Sequence, residues 1–329
     1  MKNINWAILG TGVVANEMAS ALKNAGKKVY AVGNRTYSKA VLFAEKYGIE
    51  HIYENYHDMF HDDKVDIIYI TTPHNTHINF LREALAAGKH VLCEKSITLN
   101  SAELREAVEL AEKNKVILGE AMTIYHMPLY KKLANMYKTG EFGRVNLIQL
   151  NFGSFKEYNM ENRFFNKNLA GGAMLDIGVY ALSLARIFLA SKPDKIISQV
   201  RYAPTGVDEK AGIVMTNAEG EMAVISLSLH SKQPKRAVIS CEKCYIEIME
   251  YPRACEAVIV DAQSGEKTMI REGDRQRALQ YEMEDMEEAV KGDFQILRLS
   301  DTIDVMNMMS GMRDEWQLYY PEEKDKKIL

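Results

Sequence analysis

Four cysteines in 329 residues do not make a disulfide framework. Cys241-x-x-Cys244, with Cys255 nearby, lacks a second ligand pair and a close histidine, so these read as ordinary thiols and no metal site is expected. Prolines number only seven, and the chain has no internal repeat and no low-complexity linker, so the composition is that of an ordinary globular protein. Positive charge is not in excess. Lys and Arg total 41 against 45 Asp and Glu, a formal net charge of −4, which argues against nucleic acid or an anionic membrane as the main partner. No apolar run approaches the roughly 18 residues of a membrane span, and no charged-then-apolar leader opens the chain. The expectation is a cytoplasmic protein.

What is present starts at Trp6-Ala7-Ile8-Leu9, a short apolar run closed by Gly10 and followed by Val13, Val14, Met18, Ala21 and Leu22 at helical spacing. Between strand and helix sits Gly10-x-Gly12-x-x-Ala15. Gly10 allows the tight turn, Gly12 lets a pyrophosphate approach the backbone, and Ala15 lets the helix lie close to the strand. Unpaired N–H groups and a partial positive charge at the helix start complete the phosphate site, which brings in Thr11, Val13 and Val14.

Strand-like runs at 28–33, 51–53, 65–70, 89–93 and 116–119 alternate with helical stretches, which predicts a doubly wound parallel sheet over residues 1–120. Beyond residue 121 the pattern changes. Short alternating runs from 144 to 260 predict an α/β domain with an open, mostly antiparallel sheet over 121–329, closed by helices near 278–291 and 301–318.

In such a sheet ligands bind beyond the carboxyl ends of the strands. Four suggestive loops fall there: Gly10–Ala15, Asn34-Arg35-Thr36, Thr71-Thr72-Pro73 and Glu94-Lys95. The second loop bears on the cofactor. An acid there would bond the ribose 2′-hydroxyl of NAD; this chain has Asn34 and Arg35 instead, and Arg35 can clamp a 2′-phosphate. NADP is therefore expected, with NAD as the other option. A solvated Arg35, or one stacked on adenine, is the plainer reading of the same residue.

These motifs together resemble the glucose-fructose oxidoreductase / inositol dehydrogenase / MocA group. The resemblance rests on Gly10-x-Gly12-x-x-Ala15, Thr72-Pro73-x-x-x-His77, Gly88-Lys89-His90-Val91-x-x-Glu94-Lys95 and Gly171-Gly172-Ala173-x-x-Asp176-Ile177-Gly178-Val179-Tyr180. The last motif is most similar to the dimeric dihydrodiol dehydrogenase / NADP-dependent xylose dehydrogenase branch; many other branches have histidine where Tyr180 stands. It implies a Rossmann domain followed by an α/β domain whose sheet commonly forms an oligomer interface, hence a homodimer or dimer of dimers. It also puts Lys95 and Tyr180 at the substrate carbon, where an ammonium near a phenol favours the phenolate and makes a usable acid/base pair. The plainer reading of Tyr180 is a core residue with a satisfied hydroxyl. Asp176 either orients substrate hydroxyls or serves the helix's first turn. Arg163 is a candidate for the nicotinamide or substrate, or a surface arginine. His74 and His77 are read as cofactor-loop and helix-start residues. The group's Glu-Lys-Pro is here Glu94-Lys95-Ser96, which leaves the backbone beyond the lysine less fixed.

The expected activity is NADP-dependent hydride transfer at a carbinol or hemiacetal carbon of a sugar, polyol or cyclic trans-diol. An NAD-dependent redox glycoside hydrolase of the same fold is opposed by Arg35, and a non-catalytic nucleotide sensor by the retained Lys95, Asp176 and Tyr180.

Overall fold

The computed structural model describes residues 4–323. Tertiary contacts divide the chain into two units: one runs to Met122 and takes back Gln276–Leu299, and the other holds Thr123–Arg275 and the residues from Ser300 on. The expectation from sequence is domains of 1–120 and 121–329, which assigns the Gln276–Leu299 segment to the second. The physical reason for its return is a buried polar knot. On the helix Ala278–Lys291, Glu287 accepts the indole N–H of Trp6 at 3.0 Å and pairs with Lys27 at 2.6 Å. Apolar periodicity reveals that this helix has a buried face, but not what covers it.

The first unit is a six-stranded parallel sheet of β1 (Trp6–Leu9), β2 (Val29–Gly33), β3 (His51–Tyr53), β4 (Ile67–Ile70), β5 (His90–Glu94) and β6 (Leu118–Ala121), in the order β3-β2-β1-β4-β5-β6. Every residue of β1 and β4 is buried, as expected of central strands covered on both faces. The order reverses at β1, so the loops after β1 and β4 flank the switch point. β6 begins two residues later than the run at 116–119 suggests. The preceding helix ends with Lys115 left-handed at φ 56° and the Val116 N–H bonded to the Ala111 carbonyl, which holds Val116 in the helix cap.

The second unit carries eight strands: β7 (Val145–Gly153), β8 (Lys195–Tyr202), β9 (Asp208–Thr216), β10 (Met222–Ser228), β11 (Gln233–Cys241), β12 (Cys244–Met249), β13 (Glu256–Asp261) and β14 (Lys267–Arg271). Their order is β14-β13-β12-β11-β7-β10-β9-β8, antiparallel throughout except between β7 and β10. The sequence reading misses β14, an edge strand with almost no buried residue and a charge at either end, which leaves no alternation to detect. Alternate residues of the other strands, among them Ile148, Leu150, Ile213, Ile225 and Ile239, form the core under the sheet. The helix Val179–Phe188 packs there. Contrary to expectation, Lys167–Phe188 is long and apolar enough by composition to cross a membrane, but most of it is buried inside this unit as a core helix. Met306, Met308, Met309 and Met312 are likewise buried, as packing side chains.

Candidate active site

The loops beyond the parallel strands interlock. Gly10 donates its N–H to the Gly33 carbonyl at 2.8 Å, and its φ of +111° is one that side chains rarely adopt. A Cβ here would overlap the hydroxyl of Thr71, which itself bonds back to Leu9 O at 3.0 Å. The first turn and the loop after β4 therefore touch through a position that only glycine fills.

Gly12 caps the helix Val13–Asn24 with no side-chain bond to the free N–H groups, and the first turn carries no acid. Nothing lies within 4 Å of where a Gly12 Cβ would stand, and Val13 is 77% exposed. Orphan donors, a positive helix end and open space fit a dinucleotide pyrophosphate. Thr11 and Val14 lie half-buried beside it. After β2, the Asn34 side chain bonds Thr36 O at 2.9 Å and turns the chain so that Arg35 is exposed. The Tyr56 hydroxyl, pushed up by burial, is pulled partly back by the Arg35 charge.

Past β4, Thr76 Oγ1 donates to Pro73 O at 2.7 Å and lies 2.8 Å from the Thr72 hydroxyl, closing the turn that carries His74. His77 stands beneath the rim and not on it. It is fully buried, with Nε2 2.7 Å from Thr72 O and Nδ1 3.0 Å from Ser96 O, and it ties the loop after β4 to the loop after β5. Burial lowers its pKa against the pull of those carbonyls, and the Lys95 charge lowers it further.

Lys95 leaves the end of β5 beside Glu94, and its peptide bond to the buried Ser96 is cis. The Glu94 carboxylate accepts the Tyr69 hydroxyl. Burial, then the charge of Glu282, raises its pKa well above the usual carboxylate range, while Tyr69 and Lys95 oppose the rise.

Arg163, Asp176 and Tyr180 belong to the second unit. Arg163 lies over the Phe164 ring and sets Nη2 3.3 Å from Asp176 Oδ1, so the structure brings this pair together. Asp176 sits in a π-type turn, Met174–Gly178, that runs into the helix carrying Tyr180. The spacing assumed from sequence, four residues on a regular helix, is thus interrupted by a widened turn of a kind common at functional sites. Tyr180 is half-buried, its ring 5.9 Å from Phe152.

What sequence reasoning misses is how that helix start is held. Asp208, fully buried at the start of β9, accepts the Met174 N–H at 2.5 Å. Its other oxygen lies against Gly172, whose φ of +131° and lack of Cβ make room for it. Tyr320 donates its hydroxyl to Gly171 O at 2.7 Å, and the buried Arg313 stacks on Tyr320 and pairs with Glu323. Burial raises the Asp208 pKa to about 7 against the Met174 N–H and the Arg313 charge. The Gly171-Gly172 motif signals a tight approach, but no local signal names the carboxylate that approaches.

Residues 4–122 match the family model described as an oxidoreductase family with an NAD-binding Rossmann fold. Residues 130–247 match the GFO/IDH/MocA C-terminal domain. Trans-1,2-dihydrobenzene-1,2-diol dehydrogenase of Mus musculus is 32% identical over 260 residues, covering 78% of each chain. The Homo sapiens enzyme of the same name is 30% identical over 78% of this chain and 77% of its own. A 3-ketoreductase from Actinomadura kijaniata, crystallised with NADP and TDP-benzene, superposes with a TM-score of 0.83 at 20% identity, over 95% of this chain and 98% of that one. A levoglucosan dehydrogenase with NADH and levoglucosan superposes at 0.82 and 16% identity, over the same shares.

Proposed function

Because this chain belongs to the GFO/IDH/MocA family of oxidoreductases, we propose that it is an NADP-dependent enzyme acting on a carbinol or hemiacetal carbon of a sugar, polyol or cyclic trans-diol. The relatives named as dihydrodiol dehydrogenases support the last of these substrate classes. The observation that carries the cofactor reading is the end of β2, where Arg35 is exposed on a turn with no carboxylate. Gly10–Val14 would hold the pyrophosphate, Asn34 and Arg35 the 2′-phosphate, and Thr71–His74 and Glu94 the rim around them, with His77 fixing that rim from below. The cofactor supplies the hydride acceptor or donor. Tyr180 takes the alcohol proton during oxidation and returns it during reduction. Lys95 favours its phenolate, and Asp176 with Arg163 orients substrate hydroxyls. Four free thiols, three of them buried, suit a reducing cytoplasm.

Titration of the purified protein with each reduced cofactor tests this reading, with NADPH expected to bind more tightly than NADH. Arg35→Ala removes most of that preference, because the bidentate phosphate contact goes with it. Equal affinities in the unmodified protein would refute the NADP assignment. A screen of NADP⁺ reduction across aldoses, polyols and dihydrodiols then separates the substrate classes.

We also propose a homodimer or dimer of dimers formed through the outer face of the second sheet. Ladder register lines up Ile197, Val214, Val224, Gln149, Val238, Glu247, Val258 and Met269 in one row across all eight strands. Ile197 is 74% and Met269 52% exposed. Apolar side chains hold six of the eight positions in this row, broken at Gln149 and Glu247, and such a face is what subunit contacts cover. Light scattering at micromolar concentration is expected to give at least twice the chain mass, and Val224→Glu to shift it toward the single chain. A monomer mass for the unmodified protein contradicts the assignment.

A further inference from the structure

Away from these loops, the short helix Tyr56–Phe60 and the residue after it set two histidines on successive turns. The rings of His57 and His61 stand side by side, centroids 4.1 Å apart and tilted by 36°. Glu83, on the helix His77–Ala86, brings a carboxylate oxygen to 2.6 Å from His57 Nδ1. A ring nitrogen from each histidine and a Glu83 oxygen all lie within 4.8 Å of one another. From this cluster we infer a surface site for a divalent transition metal of the zinc, nickel or copper type, with His57, His61 and Glu83 as its protein ligands and water completing the shell.

The donor set excludes the hard cations. Two imidazole nitrogens and one carboxylate suit Zn²⁺, Ni²⁺ or Cu²⁺, whereas Mg²⁺ and Ca²⁺ prefer oxygen ligands. Metal–ligand bonds of about 2.0–2.1 Å place tetrahedral ligands about 3.3 Å apart, so the cluster closes by small rotations of exposed side chains. Part of the preparation is in place. His61 Nδ1 lies 2.9 Å from the His57 carbonyl, which can only accept; Nδ1 therefore carries the hydrogen, and Nε2 of the neutral ring keeps its lone pair. The two ligand-bearing helices are also fixed to each other. Tyr56 meets Phe80 edge-on at 5.2 Å, and Phe80 packs on the fully buried Phe60.

The test uses the untagged full chain, stripped with chelator and titrated calorimetrically with Zn²⁺, Ni²⁺ and Cu²⁺, with Mg²⁺ and Ca²⁺ as controls. One saturable equivalent of transition metal is expected, with a rise in Tm and no response to Mg²⁺ or Ca²⁺. His57→Ala and His61→Ala each weaken binding at least about tenfold, Glu83→Gln weakens it less, and the metal-free Tm of each variant stays near that of the parent. No saturable binding in the parent protein, or binding that survives the His57→Ala/His61→Ala double substitution, overturns the site.

Discussion

Tyr180→Phe lowers kcat by about 10²–10⁴-fold while NADP(H) affinity stays nearly unchanged, the range expected when a positioned proton-transfer group is lost. The phenol sits at the start of a helix and keeps one side toward Phe152, so removing its oxygen disturbs packing little. Lys95→Met is also expected to slow turnover and, in the oxidation direction, to move the rising limb of the pH–rate profile upward, because the proposed cation that favours phenolate is gone. Stopped-flow turnover and a pH profile on a substrate found by the screen decide the matter. Near-normal turnover in Tyr180→Phe would make the tyrosine structural and end its proposed role.

Asp208→Ala destabilises the protein by about 1–3 kcal/mol and lowers kcat, since it strands the buried Met174 N–H at the start of the helix that carries Asp176 and Tyr180. Asp208→Asn keeps an acceptor and separates charge from geometry. The carboxyl pKa is raised from 3.8 to about 7, so the folded chain keeps a proton that the unfolded chain has released. On this account stability is greatest below the unfolded value, declines as pH climbs through the interval by up to about 1.4 kcal/mol per unit, and levels off above the folded value. Denaturant titrations between about pH 5 and pH 8 therefore show Asp208→Asn gaining on the parent as pH rises. Parallel stability curves would mean that the carboxyl titrates normally and that burial does not hold its proton.

The legible parts of this chain are those whose physics is local. Ile67–Ile70 declares itself as a central strand because both of its faces are apolar, and Gly10 declares the turn because no other residue fits there, while Gly12 leaves the space before the helix open. Arg35 is readable as an exposed charge at the end of β2, though not what it meets there. Long-range partners are not readable. Asp208 is one acid among many until Met174 is seen against it, and the helix Ala278–Lys291 has clear bounds but no visible destination. His77 stands within a recognisable motif, yet its place beneath the loops follows only from carbonyls at Thr72 and Ser96. The π-type turn at Met174–Gly178 leaves no compositional mark at all.

The return of Gln276–Leu299 to the first unit has a consequence for how the chain is made. A ribosome that has released everything up to Met122 has delivered all six parallel strands, but not the acid that meets Trp6, which follows 281 residues after it. Until then the Trp6 indole N–H and the Lys27 ammonium have to wait in water, and the Glu94 carboxyl lacks the Glu282 charge that raises its pKa. The nucleotide-binding half is thus the first to be translated and among the last to be finished. Its closing contact joins residues 281 apart in sequence, which makes it slow to form, and no N-terminal fragment that stops short of Leu299 contains the complete unit.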